Sequence, residues 1–363
     1  MNRNKIRVLA FYLPQFHPIP ENDKWYGKGF TEWTNVGKAK PLFRGHYQPR
    51  VPADLGYYDL RVPETRQAQA DMAREYGVEA FCYWHYWFGN GRRLLERPFN
   101  EVLESGKPDF PFCLAWANHS WRGIYNGVKT KESLIDQTYG GLSDYERHFY
   151  DVLPAFEDKR YVTVDGKPFF LIFAPAEIPD SREFIDCWQR LAARNGLTGI
   201  HFVAHTYQPN DIDNFLSMGY DAVNVVRLFE YQRIGISFVQ KVLNKVNREV
   251  FKHGFWCQYK DAIKYFSGKE DERENAYPTI IPNWDHSPRT GRYGAILKDS
   301  TPQLFQKHVE QTVHLILNKD DDHRIVILKS WNEWAEGNYV EPDLNFGRGY
   351  LEALRTALQK DIR

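Results

Sequence analysis

Short apolar runs alternate with longer stretches of helical periodicity from one end of this chain to the other, the pattern of a parallel sheet wrapped by helices. The runs predict strands over Arg7 to Tyr12, Val78 to Tyr83, Pro111 to Ala115, Phe169 to Phe173, Ile200 to Ala204, Ala222 to Val226, Thr279 to Pro282 and Arg324 to Leu328. Helical spacing falls between them, at Pro63 to Tyr76, Leu94 to Glu104, Ser143 to Phe156, Arg182 to Asn195, Asp211 to Met218, Asp261 to Phe266 and Pro302 to Leu317, with a last helix at Tyr350 to Lys360. Gly77 and Gly196 stand where a helix end favours a left-handed residue. Eight such units predict an α/β fold, the (β/α)8 TIM barrel.

Two segments break the rhythm. Pro14 to Pro63 is rich in turn residues and aromatics, and it is expected to form an extended loop over the mouth of the barrel. Phe229 to Arg273 is a second insertion, in which Phe238 to Lys252 carries apolar positions spaced for a helix. Both are long βα-loop insertions at the C-terminal face. With no repeat, low-complexity tract or linker, residues 1–363 are expected to form a single catalytic domain.

Composition narrows the chemistry. Lys plus Arg and Asp plus Glu are balanced at 47 each, so no overall field draws the chain to nucleic acid. Aromatic residues make up 16%, with 11 Trp and 22 Tyr, a supply of flat amphipathic faces on which sugars stack. Cys82, Cys113, Cys187 and Cys257 are widely spaced and read as buried thiols. No leader pattern precedes the first strand and no apolar run is long enough for a membrane span, which points to a soluble, cytoplasmic protein. Neither GxxxxGK[ST] nor a GxGxxG after a strand is present, and His85, His119, His205 and His286 lack the i, i+4 spacing of a helix-borne zinc site. No metal and no cofactor are expected.

The densest chemistry lies in Lys329-Ser330-Trp331-Asn332-Glu333-Trp334-Ala335-Glu336-Gly337, directly after the last apolar run. Two carboxylates emerge beside indole rings at a strand end, where burial and mutual repulsion drive two titrations apart and supply an acid and a base from one site. Catalytic residues of such barrels sit at strand C-termini. There the chain repeatedly carries polar and aromatic groups, among them Gln15, His17, Trp84, His85, Trp116, Asn118, His119, His205, Tyr207, Arg227, Trp284 and Asp285. Glu333 and Glu336 are the expected catalytic pair. Those twelve, with Tyr12, Trp33, Trp331 and Asn332, form the expected sugar-binding set.

Ala10 to His17, Gly29 to Trp33, Gln48-Pro49, Cys82 to Phe88, Trp116 to Asn118 and Trp331 to Gly337 together resemble the WbsX-type proteins, which are similar to glycoside hydrolase family 99 and accompany bacterial polysaccharide and lipopolysaccharide genes. The resemblance spans almost the whole chain. It implies a retaining enzyme acting on an α-linked oligosaccharide or polysaccharide, mannose-containing chains among them. Glu333 would act as base on the sugar's own 2-hydroxyl to give a 1,2-anhydro sugar, and Glu336 would protonate the leaving oxygen. The endo-α-mannosidases carry His where this chain has Ala335, which removes a polar contact near the second glutamate. The association with polysaccharide genes implies an alternative, glycosyl transfer in polysaccharide assembly, for which Arg227, Arg289, Arg292 and His286 would be candidates to bind a nucleotide-sugar diphosphate. A non-catalytic glycan-binding barrel is a third reading, in which both glutamates have no purpose.

Overall fold

The computed structural model describes residues 5–122, 133–251 and 253–360. Eight strands form its centre: β1 (Arg7–Tyr12), β2 (Ala80–Trp87), β3 (Phe112–Trp116), β4 (Lys167–Ile172), β5 (His201–Thr206), β6 (Ala222–Val225), β7 (Ala276–Ile280) and β8 (Ile325–Leu328). Each pairs in parallel with its sequence neighbours, and β8 closes on β1 from Arg7↔Ile325 to Ala10↔Leu328. This is the closed (β/α)8 barrel the pattern predicts. Strand β2 runs on to Trp87, past the predicted end at Tyr83, because Trp84 and His85 keep pairing with Ala115 and Trp116 of β3.

Each strand is buried on both faces, so its side chains divide strictly between barrel interior and helix layer. In β2, Trp84 points inward and stacks on Phe11 at 4.4 Å. Its neighbours Tyr83 and His85 point outward, to Phe99 of helix Arg97–Ser105 and to His148 of helix Leu142–Phe156. Ile325 to Leu328 are fully buried. Cutting any of them to Ala should cost about 2–5 kcal/mol.

The outer helices start at local signals. Pro63 and Pro302 occupy first turns, Thr301 caps Pro302–Ile316 through the Leu304 amide, and Asp180 caps Ser181–Arg194 through that of Glu183. Helix Pro63–Glu75 ends before Gly77, whose φ of 88° is left-handed. The predicted helix at Asp261 to Phe266 is instead a short turn, Tyr259–Ala262, followed by 3-10 helix Ile263–Tyr265.

The first insertion is more ordered than expected. It holds helices Pro20–Tyr26 and Glu32–Lys38, each too short to leave a periodic signal, the second capped by Thr31 through the Trp33 amide. The second insertion contains helix Phe238–Val246 and a strand, Phe255–Gln258, paired in parallel with Ala295–Lys298. Lys252, within the helix expected to Lys252, lies outside the described residues. Helix Gly349–Lys360 packs on Pro302–Ile316, with Tyr350 against Phe305. No described helix is long and apolar enough to cross a membrane.

Candidate active site

A cavity of about 560 Å³ opens at the C-terminal end of the barrel. Every strand contributes to its wall: Leu13 and Gln15 follow β1, Trp84 and Tyr86 lie on β2, Ala117, His119 and Trp121 follow β3, and Phe173 follows β4. Tyr207, Phe229 and Trp284 follow β5, β6 and β7, and Lys329, Glu333 and Glu336 follow β8. Tyr26 and Glu32 reach in from the two helices of the first insertion.

The loop after β8 is shaped to deliver both glutamates to one wall. Asn332 grips the loop after β1, accepting from the Leu13 amide at 2.7 Å and donating to the Leu13 carbonyl at 3.1 Å. Asn332–Glu333 then pairs antiparallel with Asn338–Tyr339 around a tight turn, Trp334–Glu336. The turn closes at Gly337, with φ of 57°, where an added Cβ would lie 2.7 Å from the Asp285 Cβ. Only glycine meets both demands. The bend also lets the Asp285 amide donate to the Glu336 carbonyl at 2.6 Å.

Arg289, on the short helix Ser287–Thr290, ties three carboxylates together. Its Nη1 lies 2.5 Å from Glu336 Oε1, while its Nη2 lies 3.1 Å from Glu32 Oε2 and 3.5 Å from Glu333 Oε2. The Trp84 indole donates to Glu333 Oε1 at 3.1 Å. Glu333 Oε2 accepts no hydrogen bond among the described residues. Burial, then repulsion from Glu336, pushes the Glu333 carboxyl up to about 7. Burial would raise Glu336 as well, but Arg289 and Lys329 hold it below the usual carboxylate range. One buried pair thus presents a group that binds a proton near neutral pH beside one that stays ionised.

Of the expected catalytic pair and sugar-binding set, Gln15, Trp84, His119, Tyr207, Trp284, Glu333 and Glu336 share this cavity, as do His286 and Arg289 of the diphosphate candidates. The others do not line it, and strand alternation accounts for several of them. Tyr12 faces the helix layer and donates to Gln69 at 2.6 Å. His85 pairs with His148 at 2.8 Å, Trp116 donates to the Trp87 carbonyl, and Trp331 packs on Phe81. His205 lies beneath Phe173, its Nδ1 paired with Asn224. His17 turns to the Pro14 carbonyl, Trp33 donates to the Tyr58 carbonyl, and Asn118 bonds Tyr139 and Ala174.

Asp285 and Arg227 are committed to the protein itself. Asp285 is fully buried, and its Oδ2 accepts from His46 at 2.7 Å and Gln48 at 2.6 Å. His46 Nδ1 accepts from the Leu42 amide, so the proton sits on Nε2 and His46 donates. Burial alone would raise Asp285, but the His46 bond and Arg50 bring it to about 2. Asp285 Oδ1 accepts from the Ser287 amide, which fixes the start of the helix carrying Arg289. Arg227 is held by Asp271 at 2.7 Å and Glu270 at 3.0 Å. No group of three or more His, Cys, Asp or Glu among the described residues is arranged to hold a metal ion.

The site adds Glu32, Tyr86, Phe173 and Lys329 to the residues expected, and it sets Arg289, expected only as a diphosphate candidate, among carboxylates. Tyr86 was legible: period 2 along β2 puts it on the same face as Trp84. Glu32 and Arg289 carry no signal of their meeting, since each is an ordinary charge near the start of a short helix.

The fold and the site define a (β/α)8 barrel with an acid-lined, aromatic-walled cavity at its strand C-termini. The chain belongs to the WbsX family: the model described as "Glycosyltransferase WbsX" matches residues 8–354, which bears out the resemblance in the motifs. It is 36% identical over 357 residues to protein WxcX of Xanthomonas campestris pv. campestris strain B100, covering 97% of this chain and 50% of that protein. It is 35% identical over 356 residues to WxcX of a second strain, with the same coverage of 97% and 50%. The chain thus spans about half the length of the curated relatives it matches. Among solved structures, a glycoside hydrolase-like protein superposes with TM-score 0.62 at 15% identity, covering 98% of this chain and 94% of that one. The family 99 endo-alpha-mannosidase of Bacteroides thetaiotaomicron, in complex with bis-tris-propane, superposes with TM-score 0.60 at 13% identity, covering 98% and 96%. These likenesses show the fold.

Proposed function

We propose that the chain is a retaining glycosidase acting on an α-linked oligosaccharide or polysaccharide, with Glu333 and Glu336 as the catalytic pair. The observation that carries this reading is the pair itself, two buried carboxylates of opposite proton affinity on one wall of an aromatic cavity. A carboxyl that binds a proton near pH 7 suits a general base. Glu333 takes the proton of the sugar's 2-hydroxyl, O2 bonds to the anomeric carbon, and the glycosidic bond breaks with a proton delivered by Glu336. Water then opens the 1,2-anhydro ring, giving its proton to Glu336 while Glu333 returns one to O2. Two inversions restore the configuration.

Burial and Glu336 favour a proton on Glu333, whereas Arg289 and Lys329 keep Glu336 ionised. The proposed steps therefore require substrate to shift the proton from Glu333 to Glu336, against the hold of Arg289 on Glu336. Trp84, Trp284 and Tyr207 offer faces for stacking, and Gln15 and His119 offer hydrogen bonds to hydroxyls. A single domain over the whole chain remains part of this proposal.

The family's description as a glycosyltransferase supports a second reading, in which the same intermediate is captured by a sugar hydroxyl. A nucleotide-sugar donor is less well supported. Arg227 is neutralised by two acids, Arg289 by three, and a diphosphate beside Glu32, Glu333 and Glu336 meets like charge. The test is turnover of Glu333→Gln and Glu336→Gln on a panel of α-linked oligosaccharides. Each should fall by at least about 100-fold with the fold intact. Unchanged rates in either variant would remove the pair from the chemistry.

A further inference from the structure

The excursion between β6 and β7 leaves the barrel at Phe229, on the cavity rim, and carries a helix turned inside out. In Phe238–Val246 the apolar residues Phe238, Val239, Val242, Leu243 and Val246 fall on one stripe. That stripe faces solvent. Phe238 is 79% and Leu243 51% exposed, whereas Asn244 is 2% exposed. Ile234 before the helix, and Val250 and Phe251 in the π-type turn Asn247–Phe251 after it, are exposed as well. Most of the exposed large hydrophobic side chains among the described residues lie between Phe229 and Phe251. A contiguous apolar ridge of this kind marks an interaction surface.

Charge indicates what covers it. Lys241 and Lys245 border the stripe, and neither pairs with an acid among the described residues. Arg233 and Arg248 engage the two acids of the segment, Glu230 at 2.6 Å and Glu249 at 2.8 Å. A second copy laid over the stripe would bring unpaired lysines toward one another. An anionic bilayer satisfies both features, its acyl boundary taking Phe, Val and Leu and its headgroups the ammonium groups. We infer that the segment from Ile234 to Phe251 docks flat on a membrane surface bearing anionic lipid headgroups, with the cavity mouth beside it. The enzyme then meets glycans held close to that surface. This consequence rests on the glycan reading above, whereas the docking does not.

The test is flotation of the whole protein with vesicles of phosphatidylcholine alone or mixed with phosphatidylglycerol, at low and high salt. The protein should float with the anionic vesicles only, and less at high salt. Replacing Lys241 and Lys245 together by Gln should weaken partitioning by about 25-fold, from roughly fivefold per lysine. Phe238→Ser with Leu243→Ser should abolish it while circular dichroism stays unchanged. Absence of flotation with anionic vesicles, or equal flotation of the lysine variant, overturns the proposal. So does a concentration-dependent dimer that the Phe238→Ser, Leu243→Ser variant loses, since a second copy then covers the stripe. Flotation without turnover of any glycan would leave the docking standing and remove the glycan reading alone.

Discussion

Replacing Glu333 by Gln should stabilise the folded protein while it stops the chemistry, and the gain should grow with pH. Burial and Glu336 push the Glu333 carboxyl from 4.5 to about 7, so between those values the folded chain retains a proton that the unfolded chain has released. Ionisation in place therefore opposes folding: the penalty is absent below the unfolded pKa, rises with pH, and levels off above the folded one. It amounts to roughly 3 kcal/mol at pH 8 and about 1 kcal/mol at pH 5. Glutamine holds the neutral shape permanently and escapes the penalty. For a chain of 363 residues, an unfolding entropy of about 2.1 cal/mol/K per residue turns these values into Tm gains of about 4 °C and about 1 °C. Scanning fluorimetry of both proteins between these two pH values reads the difference directly. Glu336→Gln should show the opposite sign, because Arg289 and Lys329 favour its charge. A Tm difference flat with pH, or a less stable Glu333→Gln at the alkaline end, would refute the assignment of the raised carboxyl.

Arg289→Met leaves Glu32, Glu333 and Glu336 buried without their shared guanidinium; stability should fall by about 3–5 kcal/mol at alkaline pH and by less in acid, where the carboxylates take up protons, as a pH series of melts will show. Trp84→Phe removes the indole N–H that Glu333 accepts, so the acid limb of the rate profile should move to higher pH. Trp116→Phe loses only a bond to the Trp87 carbonyl in the helix layer, and should lower Tm with kcat/KM retained. Calorimetry with common nucleoside diphosphates should give no binding tighter than about 1 mM, since Arg227 and Arg289 are already neutralised by acids and Arg292, bonded to the Tyr293 hydroxyl, offers a lone guanidinium.

The barrel was legible because the strands are apolar runs buried on both faces, as at Val223 and Ile327, and most outer helices, such as Pro302–Ile316, are long enough to show their period. The two seven-residue helices of the first insertion left only a Pro at the start of one and a Thr cap on the other. The proposed catalytic pair was visible as two acids after the last strand. The membership of the cavity wall was less so, because proximity to a strand end does not say which way a side chain points. Trp84 and His85 are adjacent, and alternation sends one to Glu333 and the other to His148. Applied residue by residue, the same rule would have placed Tyr86 inside and Trp116 outside. The link from Arg289 to the carboxylates was out of reach, because it joins acids from two separate segments of the chain. Asp285 looked like a hydroxyl ligand, but His46, Gln48 and Ser287 already occupy its oxygens.

The most direct measurement is proton NMR of the anomeric region while the purified protein acts on defined α-linked oligosaccharides, beside its Glu333→Gln and Glu336→Gln forms. The glutamate mechanism predicts that new anomeric signals appear first in the α configuration, as free sugar or as a new glycoside, with neither nucleotide nor metal added, and that both variants leave the spectrum unchanged. A first product in the β configuration, or the same signals growing at the same rate with either variant, would contradict it.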